Sequence, residues 1–190
     1  MVMGGVNAQN NTVHAICSTD QGWCELAASE FQKATGIKIL QTRKPTGEAL
    51  AQLRAEAANP KTDLWWGGTG DPFLQAADPN LLEPYRPAYI NDLHSWSVRQ
   101  YAMSGNMVGG FYTSAIGFGF NTDLLKKKKL PIPQCWSDLI KPIYKGDIEI
   151  SHPASSGTAY TILAGLVQLM GEDKAFEYMK ALHKNVVQYT

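Results

Sequence analysis

The sequence predicts an α/β protein built on mainly parallel sheets. Three observations carry that expectation. The first 80 residues alternate short β-rich runs with longer helical ones, the pattern that places helices on both faces of a parallel sheet. Each passage from strand to helix carries hydroxyl residues or glycine. At 190 residues, 44% hydrophobic and 18% charged, the chain can bury a substantial core.

Residues 1–11 are small and polar and read as a flexible lead-in; they lack the charged and apolar regions of a secretory leader. Residues 12–18 (TVHAICS) alternate and favour a strand. Ser18-Thr19-Asp20 then offers N-cap side chains to a helix running to about Thr35, with Trp23, Leu26, Ala27, Phe31 and Ala34 as its expected buried face. Gly36 stops that helix, and residues 37–41 form a second strand. After the turn Pro45-Thr46-Gly47, Thr46 is placed to cap a helix over 48–58 with Ala49, Leu50, Leu53 and Ala57 inward. Asn59-Pro60 ends it. Residues 63–66 (DLWW) are a short strand closed by Gly67-Gly68-Thr69-Gly70, and a helix follows over 71–77.

The middle of the chain changes character. Residues 81–101, rich in Pro, Tyr, Trp and Asn, show no clear period. Residues 107–121 (MVGGFYTSAIGFGFN) read as two strand-like runs broken near Thr113-Ser114. A short helix over 124–129 ends in lysines and is stopped by Pro131 and Pro133. A helical turn over 136–140 and a strand over 147–150 precede an amphipathic helix over 155–170, with Ala159, Ile162, Leu163, Leu166, Val167 and Met170 on one face. Past Gly171, the helix over 173–183 turns Ala175, Phe176, Met179 and Leu182 inward, and the last residues begin a strand.

Several function classes are disfavoured. Lys+Arg 17 balances Asp+Glu 17, so the basic excess of a nucleic-acid binder is missing. No apolar run approaches the ~20 residues of a bilayer span, so no membrane insertion is expected. No CxxC or HExxH spacing suggests a metal. Neither a GxxxxGK[ST] loop nor a GxSxG elbow occurs, and Gly117-Phe118-Gly119 lacks the third glycine of a dinucleotide fingerprint. Polar groups without a nucleophile or base describe a binder; no catalytic residue, metal or cofactor is expected. Cys17 and Cys24 flank the first strand-to-helix turn and either join in a disulfide or stay small buried thiols; Cys135 has no partner in this scheme.

The candidate binding residues are those at strand-to-helix turns, because ligands collect at the carboxyl ends of parallel strands. Ser155, Ser156, Gly157, Thr158 and Ala159 open the strongest helix, where free amides and the helix dipole favour an anion. Plain N-capping by Ser155 is the competing reading. Ser18, Thr19 and Asp20, Thr46, Gly47 and Glu48, and Gly67, Gly68 and Thr69 form three more such turns on one sheet edge. Each alone reads as a cap; together they suggest a polar binding wall. Trp65-Trp66 ends a strand there, where an indole can stack on a sugar or organic ligand; alternation puts one indole on each face, so at least one is expected in the core. Lys126–Lys129 reads as a solvated helix end rather than a docking patch.

Six collinear segments resemble one family. They are ATGIKI (34–39), TGEALAQLRAEAANPKTDLWWGGTGD (46–71), LLEPYRP (81–87), SAIGFGFNTDLL (114–125), WSDLIKPIYKGDIEI (136–150) and HPASSGTAYTILAGLVQLMGEDKAFEYMKALHKNV (152–186). Over residues 12–190 the chain resembles the extracellular solute-binding proteins of ABC importers, in the group for ferric iron, thiamine, 2-aminoethylphosphonate and phosphosugars. The resemblance implies a type II periplasmic-binding-protein fold of two α/β lobes with a ligand cleft between them. It places lobe one at 12–106, crossover strands at 107–121 and part of lobe two at 122–190. Family members continue beyond this length, so the second lobe is expected to be incomplete here.

The resemblance also implies a periplasmic or extracellular monomer that delivers a small anionic solute to the transmembrane subunits of a permease. Hydroxyl and glycine turns favour a phosphorylated sugar or a phosphonate. Iron binders of the family use a histidine early in lobe one, and Ser18-Thr19-Asp20-Gln21-Gly22 has none. Ferric iron remains the alternative ligand, and an enzyme or sensor reusing the fold the alternative class.

Overall fold

A computed structural model describes residues 11–78 and 80–190. The expected lead-in, except Asn11, lies outside the described residues. Packing divides the chain into two compact units, 1–68 and 69–190. This division by packing falls at a different place from the lobe boundary expected near residue 106.

The first unit is a three-stranded, all-parallel sheet in the order β2-β1-β3. β1 (Thr12–Cys17) pairs along its length with β2 (Lys38–Arg43) and, through Ala15, Ile16 and Cys17, with β3 (Leu64–Trp66). A central parallel strand is covered on both faces, which is why Ala15-Ile16-Cys17 is a continuous apolar run with all three side chains buried. Helix α1 (Gln21–Thr35) closes with Gly36 in the left-handed conformation, whose amide donates to Gln32 O at 2.8 Å. Helix α2 (Thr46–Ala55) buries Ala49 and Leu50 and half-buries Leu53, while Ala57 lies past its end and is exposed.

Two expectations are corrected here. The stripe predicted to face inward on α1 is exposed at Trp23, Leu26, Ala27, Phe31 and Ala34. Cys17 and Cys24 form a disulfide, and that bond turns Cys24 toward the sheet. At about 100° per residue Leu26 stands roughly 200° from Cys24, but Ala27 and Phe31, three and seven residues on from Cys24, share the cysteine's side and are exposed all the same. Burial on this helix is confined to the tethered residue, Cys24. Thr46 does not cap α2 from outside: it is the first helical residue, Pro45 holds the N-cap position, and the helix has no side-chain cap.

The second unit opens with α3 (Gly70–Ala77) and reaches α4 (Ser95–Met103) through a 3-10 turn at Ile90–Asp92. α4 falls in the segment that had no clear period. Only Ser97 on it is buried, so it carries little apolar patterning. Ser97 Oγ donates to Gly110 O, and Ser104 Oγ accepts from Val108 N at 2.9 Å. Those two bonds tether the start of the 107–121 segment. That segment contains no strand, contrary to expectation. A strand is defined by its ladder, and no described segment pairs with this one; a β-favouring sequence without a partner stays irregular.

Helix α5 (Thr122–Lys128) is capped by Asn121, whose Oδ1 accepts from the Asp123 and Leu124 amides at 3.0 Å each. Lys128 at its basic end pairs with Asp147. β4 (Ile148–Ile150) and β5 (Val186–Tyr189) pair in parallel, connected through α6 (Gly157–Met170) and α7 (Glu172–His183). Leu139, Leu166, Ala175, Tyr178 and Leu182 form the buried core there. Tyr178, not Phe176, is the inward aromatic of α7; Phe176 is exposed. The tyrosine hydroxyl donates to Trp136 O at 2.6 Å, and burial pushes its pKa up to about 12, so it remains a donor.

Two polar groups lock the turns of this unit. The Asp138 carboxylate accepts from Lys141 and from the amides of Gln134 and Cys135, which together hold its pKa well below the usual carboxylate range. Its stabilising contribution is present above the ordinary carboxylate pKa and is lost as pH falls toward the lowered native one. Asn185, 3% exposed, donates from Nδ2 to Leu139 O and Lys141 O at 2.8 Å each. Asn185→Ala strands the Leu139 carbonyl, while Lys141 O keeps the Tyr144 amide, and is expected to cost about 1–3 kcal/mol, read as a lower urea midpoint at unchanged slope.

Candidate functional site

Parallel pairing sends the carboxyl ends of β1, β2 and β3 to one edge of the first unit's sheet, and each strand ends in a turn bearing candidate residues. Ser18 leaves β1 and donates its amide to Trp66 O at 2.9 Å. Thr19 follows, and its carbonyl accepts from Arg43 Nε at 2.8 Å. Past β3, Gly67 and Gly68 both take positive φ, 78° and 93°. The turn needs glycine for backbone conformation and for space. A Cβ added at Gly68 would lie 2.2 Å from Thr46 Cγ2 and 3.1 Å from Ser18 Cβ; one at Gly67 would lie 3.0 Å from Thr19 Cβ. The fold therefore brings Ser18, Thr19, Thr46, Gly67 and Gly68 into one cluster.

The start of α2 gives this cluster its chemistry. Proline at the N-cap position offers no capping oxygen, and the Ala49 amide, bonded to Pro45 O at 3.0 Å, is the first in the helix to find a backbone carbonyl. The amides of Thr46, Gly47 and Glu48 thus remain as donors at the positive end of the helix dipole. Thr46 is 3% exposed and its Oγ1 is buried without a hydrogen-bond partner. A buried hydroxyl left unsatisfied costs free energy, and buried polar groups are otherwise almost always paired. A solute oxygen at the helix start would satisfy the hydroxyl and the amides together.

Other members of the expected wall play different parts. Asp20 occupies the N-cap position of α1 but makes no side-chain cap; its carbonyl accepts from the Trp23 and Cys24 amides. Glu48 is exposed in the first turn of α2, where a carboxylate complements the dipole. Thr69 belongs to the second unit, at the N-cap position of α3; its Oγ1 is also buried without a partner.

At the start of α6, Ser156 rather than Ser155 is the N-cap, its Oγ accepting from the Ala159 amide at 3.3 Å. Ser155 Oγ donates back to His152 O at 3.2 Å. The Ser155 proton is therefore spent, whereas Ser156 Oγ accepts and keeps its proton to donate. The open backbone donors of this turn are the Gly157 and Thr158 amides, with Thr158 exposed and Gly157 and Ala159 buried. Arg43 and the indole N–H of Trp65, bonded to Ser18 Oγ at 2.9 Å, were not singled out as groups that position the turn. Arg43 ends β2 in register with Cys17, and Trp65 stands one residue before the end of β3, in register with Ile16.

Hydroxyls, glycines and uncapped helix amides thus gather at the parallel strand ends of an α/β protein. The chain belongs to the bacterial extracellular solute-binding protein family, whose model matches residues 59–190. An uncharacterized protein of Haemophilus influenzae is 40% identical over 190 residues, covering all of this chain and 55% of that protein. Among solved structures, the periplasmic binding protein P5PA superposes with a TM-score of 0.90 at 36% identity, over 94% of this chain and 57% of that one. The periplasmic binding protein AfuA from Actinobacillus pleuropneumoniae, bound to exogenous fructose-6-phosphate, gives 0.83 at 42% identity, over 94% and 56%. The chain thus spans about half the length of the proteins it matches, and the part it spans has the type II periplasmic-binding-protein fold. Among the described residues, no helix is long and apolar enough to cross a membrane.

Proposed function

We propose that this chain is part of the periplasmic solute-binding component of an ABC importer, and that it captures a small anion bearing a phosphate or phosphonate group for delivery to a permease. One observation carries the reading: the buried, unpartnered Thr46 Oγ1 at the uncapped start of α2, beside Ser18 and the Gly67-Gly68 turn. Several donors converging on one point fit a multi-oxygen anion. The Gly157 and Thr158 amides of α6 supply a second set of donors within the other unit. The fructose-6-phosphate bound to AfuA, at 42% identity, supports the same ligand chemistry.

Titration calorimetry on the full-length protein with fructose 6-phosphate, 2-aminoethylphosphonate, inorganic phosphate and ferric citrate tests this. A phosphorylated or phosphonate compound is expected to bind saturably without being consumed. Binding of ferric citrate alone would overturn the reading. Thr46→Val gives a sharper test, because it removes the hydroxyl and keeps the shape. A hydrogen bond to a charged acceptor contributes about 1.5–3 kcal/mol, so affinity is expected to fall roughly 10- to 150-fold. The free protein is expected to be as stable as before or slightly more so, since a desolvated hydroxyl without a partner is replaced by a methyl. Unchanged affinity in the variant would remove Thr46 from the site.

A further inference from the structure

Ser18 is half-buried where β1 leaves the sheet. Its Oγ lies 2.9 Å from Trp65 Nε1. An indole N–H can only donate, so Ser18 Oγ is the acceptor in that bond. The serine's own proton remains to be donated, and no described residue accepts it. The indole is not free to adapt. Trp65 is 8% exposed and sits in β3, in register with Ile16 of the central strand. The serine is equally confined: its amide is bonded to Trp66 O, the next carbonyl is held by Arg43 Nε, and Gly68 lies against its Cβ. A buried donor in a rigid strand therefore selects one orientation of a hydroxyl in a rigid turn.

We propose that Trp65 is a positioning residue of the solute site, its indole N–H holding the Ser18 hydroxyl so that its proton is offered to an anionic oxygen. This rests on the strand-end cluster being the solute site. Trp65 itself touches no solute in this scheme; it acts through Ser18. A tryptophan serving only as core filling would affect stability and leave the serine's hydrogen bond to the ligand unchanged.

The test is a double-mutant cycle on the full-length protein, with fructose 6-phosphate as probe and calorimetry as readout. Trp65→Phe and Ser18→Ala are each expected to weaken binding roughly 5- to 30-fold. The double variant is expected to bind within about twofold of Ser18→Ala alone, because in this scheme the indole acts on the ligand through the Ser18 hydroxyl. Wild-type affinity in Trp65→Phe, or additive losses in the double variant, would overturn the proposal while leaving the solute site standing. Absence of wild-type binding to fructose 6-phosphate, 2-aminoethylphosphonate and inorganic phosphate would remove the solute site, and this proposal with it, before any variant is compared. If Trp65→Phe does not fold, the wild-type protein still decides. The Trp65 indole ¹⁵N–¹H resonance, assigned in the wild-type protein by its through-space contact with Ser18, is expected to shift on saturation with fructose 6-phosphate, as the Ser18 bond chain extends to the anion. A resonance that stays in place would overturn the proposal.

Discussion

Gly68→Ala is expected to destabilise the first unit by about 2–5 kcal/mol and to abolish solute binding at accessible concentrations. Two costs combine. At φ 93° an L-residue is strained by roughly 1–2 kcal/mol relative to glycine. The new methyl would also stand 2.2 Å from Thr46 Cγ2, with Ser18 Cβ and O both at 3.1 Å. Thr46 is helical and buried and Ser18 is pinned by β3, so the neighbours cannot yield without moving α2 or the β1 turn. Overpacking of this kind costs roughly 1–3 kcal/mol or more. The groups displaced are the proposed ligand donors, so affinity and stability fall together here, whereas Thr46→Val separates them. Gly165→Ala in α6 is the matched control. No atom lies within 4 Å of a Cβ added there, and alanine is worth roughly 0.5–1 kcal/mol over glycine in a helix, so that change is expected to stabilise. Urea denaturation of both variants provides the measurement. A Gly68→Ala protein with the wild-type midpoint would show that the turn relaxes freely.

Removing the Cys17–Cys24 bridge as the Cys17→Ala/Cys24→Ala double variant is expected to cost about 2–3 kcal/mol. The two residues are seven apart in sequence, and closing so short a loop removes a correspondingly modest entropy from the unfolded chain. Both half-cystines are buried, at 0% and 1% exposed, and alanine avoids introducing a buried hydroxyl. The loop they close contains Ser18, Thr19 and Asp20, so solute affinity is expected to weaken as the turn loosens. Reductant is expected to lower the wild-type urea midpoint and leave the double variant's unchanged. Thiol titration provides an independent check: only Cys135 is free, and it is exposed, so one thiol should react before reduction and three after it in denaturant. Three reactive thiols in the unreduced, denatured protein would disprove the bridge.

Helix α1 also shows where sequence reading fell short. The stripe Trp23, Leu26, Ala27, Phe31 and Ala34 has a good helical period, and α1 forms over those residues. Period fixes the element but not what packs against it: Phe31 shares the side of Cys24 and is exposed, so burial there stops at the tethered residue. The 107–121 segment failed for a related reason. Its residues favour extended chain, but a ladder requires a second segment at the right register, and composition does not name that partner. At Ser155-Ser156 the hydroxyls were legible as helix-start chemistry. Which serine caps and which bonds backward depends on where the helix begins, and a shift of one residue exchanged their roles.

The amino-acid sequence by itself determined the alternation of strands and helices, the parallel character of the sheets and the placement of hydroxyls and glycines at strand ends. These follow from local propensity and period, which neighbours in sequence carry. The tertiary structure alone decided that Thr46 Oγ1 is buried without a partner, that Gly68 clears space for it, and that Trp65 and Arg43 hold the β1 turn. Those relations join residues about 20 to 50 positions apart, and only the register of three parallel strands brings them within hydrogen-bonding distance.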